Sequence, residues 1–127
     1  MTFMPDHFTV WMEIPVTNLD QAISFYNKVF KTELRLVTDM GPNPFAMFPV
    51  KEDASGVAGH LYPGKPAPRG TGPTVHLLCP DTLEETMERF AESGGTIISD
   101  PIAIPTGRFA YGEDPDGNSI GLFIFNS

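Results

Sequence analysis

From residue 8 to residue 16 the chain alternates with a period of two. Val10, Met12, Ile14 and Val16 make one wholly apolar face, and Thr9, Trp11, Glu13 and Pro15 make the other, which predicts a strand. At Asn18 the period lengthens. Leu19, Ala22, Ile23, Tyr26, Val29 and Phe30 fall on one stripe at helical spacing, which predicts a helix over Leu19–Phe30. Asn18 can accept the orphan amide of Gln21 while the Gln21 side chain reaches back, a capping-box arrangement. Three short strands are expected next, at 33–38, 45–50 and 55–61. Met40-Gly41-Pro42-Asn43-Pro44 and Lys51-Glu52-Asp53 supply the turns between them.

Residues 62–73 carry Gly or Pro at seven of twelve positions and read as a linker. The pattern then restarts. Residues 74–80 read as a strand, and Thr82 with Glu85 repeats the capping box 64 residues after Asn18. Leu83, Met87, Phe90 and Ala91 line a second helix, which Gly94-Gly95 ends. Strands are expected at 96–104, 107–113 and 118–125. Asp116-Gly117, within Asp114-Pro115-Asp116-Gly117-Asn118, signals a hairpin between the last two.

The order strand, helix, strand, strand, strand thus occurs twice. The fold class is α+β: one domain over 1–127, with a first module at 8–61, the linker at 62–73 and a second module at 74–125. Each helix covers one face of its sheet. Two such sheets side by side form a half-open barrel with a cavity on the helix-free side, and pockets favour such joints.

Composition narrows the function classes. A hydrophobic fraction of 41% over 127 residues supports a real core. No apolar run approaches the roughly 18 residues of a membrane span. The start of the chain lacks the basic-then-apolar order of a signal peptide, so the expected location is cytoplasmic. The net charge of −8 and eight scattered basic residues argue against nucleic-acid binding. Cys79 is the single cysteine and lies in an apolar run, so it reads as a buried, inert thiol.

The residues Glu13-Ile14-Pro15-Val16-Thr17-Asn18-Leu19, Ala22, Phe25-Tyr26 and Asp114-Pro115-Asp116-Gly117-Asn118 with Ile120 and Leu122 resemble the vicinal oxygen chelate superfamily. That group includes glyoxalase I, extradiol dioxygenases, fosfomycin-resistance enzymes and bleomycin-resistance binding proteins. The resemblance covers essentially the whole chain. It implies the fold named above, but no single activity, because the superfamily hosts isomerases, oxygenases, transferases and binders.

In metal-dependent members, the resemblance implies His, Gln or Glu ligands on the first and fourth strands of each module. Counted from the helix starts and the final turn, those positions hold Trp11, Val75 and Gly121. The fourth is His60 or Ala58, depending on the reading of residues 57–61. The usual ligand set is therefore not expected. Glu13 shares Trp11's face and His60 is read as pointing inward. The pair could take a divalent metal (Zn, Ni, Mn or Fe) at a displaced site, or act as acid and base with Glu13 as the catalytic group. His76 matches Met12 and is expected on the helix-covered face, and His7 is expected in solvent.

On the last strand Ile120, Leu122 and Ile124 are read toward the helix, leaving Gly121, Phe123 and Phe125 toward the cavity. Gly121 is expected to widen its floor. Trp11, Glu13, His60, Phe109, Tyr111, Gly121 and Phe123 form the expected ligand-binding cavity, while Phe48 has no fixed side. Aromatic rings with one carboxylate suit a planar or cationic organic molecule. The resulting expectation is a small-molecule binder without metal or cofactor, forming a homodimer as the bleomycin-resistance group does. The alternatives are a lyase, isomerase or dioxygenase using Glu13 and His60, and a structural module with a filled barrel.

Overall fold

The computed structural model describes residues 1–52 and 57–127. Its first half runs β1 (Met12–Val16), α1 (Leu19–Phe30), β2 (Arg35–Val37), β3 (Phe45–Met47) and β4 (Gly59–Pro63). The second runs β5 (Thr74–Leu78), α2 (Leu83–Glu92), β6 (Thr96–Ile97), β7 (Ile102–Ile104), β8 (Gly107–Glu113) and β9 (Ser119–Phe125). The sheet orders are β1-β4-β3-β2 and β5-β9-β8-β6, with β7 also paired to β8. In each sheet the strand before the helix pairs in parallel with the last strand, and the other pairings are antiparallel.

Several boundaries differ from those expected. β1 begins at Met12, because its ladder partner β4 begins at Gly59, opposite Met12. Phe8 and Val10 therefore stand exposed outside the sheet. Asp53 of the expected turn, and residues 55 and 56 of the expected strand, lie outside the described residues. The run 96–104 is two strands. Between them the amides of Ile98 and Ser99 both donate to the Tyr111 carbonyl, a bulge that interrupts the pairing before Pro101.

Both helix starts are capped as the sequence indicates, by one bond each. Asn18 Oδ1 accepts from the Gln21 amide at 3.0 Å, and Thr82 Oγ1 accepts from the Glu85 amide at 3.1 Å. The return bonds expected from the Gln21 and Glu85 side chains are not among the hydrogen bonds of the described residues. Lys31 caps the end of α1 in the left-handed region (φ 50°), so this position keeps the glycine-like turn without glycine.

Both helices and the inner faces of both sheets share one core. Ile14, Val16, Phe25 and Tyr26 from the first half meet Leu83, Phe90, Ile120 and Leu122 from the second. Phe25 and Phe90 pack edge to face at 5.2 Å. The Asp114–Asn118 turn also fastens the halves together. Asp114, 1% exposed, accepts from the buried Tyr26 hydroxyl at 2.7 Å. It also accepts from the amides of Asp116 and Asn118 and from Asn118 Nδ2. Asn118 Nδ2 reaches the Pro15 carbonyl, and Thr17 donates to Asp116. At the C-terminal end of α1, Asp81 takes a bidentate pair from Arg89 and a Lys31 contact at 2.8 Å, while Arg89 Nε donates to the Val29 carbonyl.

Candidate functional site

Parallel pairing of β1 with β4 sets Glu13 beside His60 and Ile14 beside Leu61. Ile14 and Leu61 are buried in the core, so Glu13 and His60 share the face turned away from it. Trp11 joins them there. Its indole Nε1 donates to His60 Nδ1 at 2.9 Å, and His60 Nε2 lies 3.2 Å from Glu13 Oε2. An indole nitrogen can only donate, so Nδ1 must be the unprotonated nitrogen and Nε2 must carry the hydrogen that faces Glu13. Phe45 and Tyr62 pack on the same imidazole at 4.9 and 6.1 Å. The His60 side chain is 15% exposed and the Glu13 side chain 64%, so the pair has an anchored inner member and an accessible outer one. Glu13 also lines a cavity of about 110 Å3 at the junction of the halves, with Val75, Ser119 and the linker residues Thr71 to Pro73.

The second sheet differs from the expected arrangement at His76. Parallel pairing sets His76 beside Gly121 and Leu77 beside Leu122. Leu122 is buried in the core and Leu77 packs against it, so His76 lies on the outer face, not under the helix. Its ring meets Phe109, Tyr111 and Phe123 at centroid distances of 5.4, 5.8 and 6.4 Å. Gly121 does not widen a cavity floor. The His76 ring occupies that space, and a Cβ at 121 would collide with Nδ1.

The misplacement has a simple cause. One residue, Thr17, separates Val16 from the cap Asn18, whereas two, Pro80 and Asp81, separate the buried Cys79 from the cap Thr82. Counting back from the second cap therefore slips by one residue and reverses the faces. On the corrected register His76 matches Glu13, Thr74 matches Trp11, and Val75 lies on the core side, not at a ligand position. Counting from the apolar alternation Val75, Leu77, Cys79 would have found this. The same register matches His60, rather than Ala58, with Gly121.

The remaining residues fall as follows. Phe109, Tyr111 and Phe123 face outward around His76, and Phe125 is exposed beyond them. Phe48 turns inward against Tyr26 at 5.6 Å. His7 is exposed, and Cys79 is buried with its thiol pKa raised by that burial. A groove of about 420 Å3 runs over the second sheet, lined by His76, Leu77, Leu78, Ile104, Phe109, Phe123 and Phe125. Trp11, Glu13 and His60 are not part of its lining.

The divalent ion implied by the resemblance meets an unsuitable donor set. The four positions hold Trp11, His60, Thr74 and Gly121. A ligating imidazole normally donates its second N–H to an acceptor. Here the second nitrogen of His60 instead receives a hydrogen bond from Trp11. Among the described residues no group of three or more His, Cys, Asp or Glu side chains gathers to hold a metal. These residues do not fit the ion.

The family's sequence model, described as Glyoxalase/Bleomycin resistance protein/Dioxygenase superfamily, matches residues 5–122. The chain belongs to this superfamily. Solved members share the fold of this glyoxalase/bleomycin-resistance-like chain at low identity. A glyoxalase/bleomycin resistance protein from Albidiferax ferrireducens aligns with a TM-score of 0.70 and 19% identity, over 94% of this chain and 100% of that one. A superfamily member from Sphaerobacter thermophilus aligns at 0.63 and 23%, over 93% and 97%. A family enzyme from Burkholderia phytofirmans aligns at 0.66 and 14%, over 91% and 97%. No curated protein matches the chain. Among the described residues, no helix of this superfamily member is long and apolar enough to cross a membrane.

Proposed function

We propose that the protein binds a small organic molecule without using a metal, and that Glu13 is the group that recognises the ligand's polar end. The carrying observation is the chain Trp11 to His60 to Glu13. It holds a carboxylate in place from one side and leaves it accessible from the other. Trp11, 43% exposed, shares the imidazole with that carboxylate and lies on the same face. A cation on a flat organic skeleton satisfies both, through ion pairing and cation–π contact. The net charge of −8 favours its approach. The same reading takes the protein to be a cytoplasmic homodimer that does not bind nucleic acid. Four of the eight basic side chains, Lys31, Arg69, Arg89 and Arg108, are engaged by carboxylates.

A thermal-shift screen of cationic aromatic compounds tests this reading. Compounds that raise the melting temperature of the wild type should lose most of that effect in Glu13→Gln. Stabilisation by divalent metals alone, with no response to any cationic aromatic, would refute it.

The 3.2 Å approach of His60 Nε2 to Glu13 favours a second reading, metal-free acid–base catalysis. It predicts a turnover abolished in Glu13→Gln while ligand binding survives. The displaced metal site fares worse. Coordination through Nε2 would require that nitrogen to lose its proton while Trp11 still donates to Nδ1.

A further inference from the structure

The groove on the second sheet makes its own chemical demand, separate from that of Glu13. Its walls are Leu77, Leu78, Ile104, Phe109, Phe123 and Phe125, and among the described residues His76 is its only polar side chain. Three aromatic rings hold that imidazole from the side, and Gly121 lies beneath it with no side chain in the way. Among the described residues His76 forms neither a hydrogen bond nor an ion pair, so its polar capacity faces outward unspent. We propose that this groove binds a neutral, flat aromatic molecule of about two fused rings that carries one hydrogen-bond donor, a hydroxyl or ring N–H, which His76 accepts.

Each part of that description follows from the lining. A space of about 420 Å3 lies within the size range of small-molecule pockets. Phe109 and Phe123 lie parallel, their planes 8° apart and their centroids 6.1 Å apart, so they present aligned faces and edges to a planar ligand. Among the described residues the lining holds no Lys or Arg to pair with an anion and no carboxylate to pair with a cation, so a charged ligand would be desolvated without compensation. A neutral imidazole always has one nitrogen that can accept, which selects a donor on the ligand.

This inference rests on the reading of the protein as a small-molecule binder, but uses residues that reading does not. The test compares 2-naphthol with 2-methoxynaphthalene, which has the same rings and no donor, by titration against the wild type, His76→Phe, Gly121→Ala and Glu13→Gln. The wild type should bind 2-naphthol about tenfold more tightly than its methyl ether, the effect of one neutral hydrogen bond. His76→Phe should keep the affinity for the ether and lose the tenfold preference. Gly121→Ala, which displaces the ring, should lose it too, and Glu13→Gln should retain it.

Equal affinities of the two probes for the wild type, or an unchanged preference in His76→Phe, would overturn the inference. So would failure of both probes to bind, including the case in which sedimentation shows the groove covered by a second copy of the chain. A continuing Glu13-dependent response to cationic aromatics would then leave the broader binding reading standing.

Discussion

Replacing Asp114 with alanine should cost about 3–5 kcal/mol of folding stability. The side chain is 1% exposed and serves four donors: the Tyr26 hydroxyl, two main-chain amides and Asn118 Nδ2. Tyr26 is fully buried, so its orphaned hydroxyl finds no water. Leaving a buried polar group unpaired costs about 1–3 kcal/mol. The amides of Asp116 and Asn118 are nearer the surface and contribute less, and Asn118 Nδ2 keeps its bond to the Pro15 carbonyl. Calorimetry should show the melting temperature falling by roughly 10–20 °C, at about 3–5 °C per kcal/mol for a chain of this size. Tyr26→Phe alone should cost only about 1 kcal/mol, because Asp114 keeps three donors. In the Tyr26→Phe background, Asp114→Ala no longer strands a hydroxyl, so its cost should fall by about 1–2 kcal/mol. A loss below 1 kcal/mol for Asp114→Ala, or strict additivity of the two substitutions, would refute the view that this turn bolts the halves together through Tyr26.

Burial, and then the Asp114 carboxylate, hold the Tyr26 phenol well above its ordinary pKa of 10.0, so folding favours the protonated ring. Its contribution should be complete below pH 10 and fall as the pH rises above that, a loss that urea titrations should find missing in Tyr26→Phe. At the acid end, Arg89 and then Lys31 hold Asp81 well below its ordinary 3.8, and Arg108 lowers Glu84 to about 2. These contributions are present above pH 4 to 5 and should fade as the pH drops below that. Asp81→Asn should flatten this limb in an acid unfolding curve, and an unchanged limb would count against the pairing. Lys31→Gly removes a solvent-screened ion pair, which contributes little, and relieves a left-handed backbone costing about 1–2 kcal/mol. The variant should therefore melt at or slightly above the wild-type temperature, and a clear drop would mean that the Asp81 contact dominates.

Much of this fold was legible from short stretches of sequence, because the signals are local. The change of period at Asn18 marks the first helix, and Asn18 and Thr82 cap helices where their side chains can reach an amide three residues on. The alternation of Ile120, Leu122 and Ile124 placed the core face of β9, and Asp116-Gly117 marked the last hairpin. The grouping of Trp11, Glu13 and His60 was also accessible, since Trp11 and Glu13 alternate onto one face and His60 follows from matching two short strands.

Tertiary structure decided the rest, because the deciding contacts lie far apart in sequence or depend on a loop's length. The strand ladder, not the helix cap, sets the outward face of β5, and one additional residue between Cys79 and Thr82 was enough to turn His76 from core to open face. Whether residues 8–11 join a strand depended on where a partner 47 positions away begins to pair, opposite Met12. The polarity of the first site was decided by the Trp11 hydrogen bond to His60, which selects one protonated nitrogen and disfavours a metal there. Periodicity tells a residue which side of its own element it occupies. Only the packed chain determines what stands on that side with it.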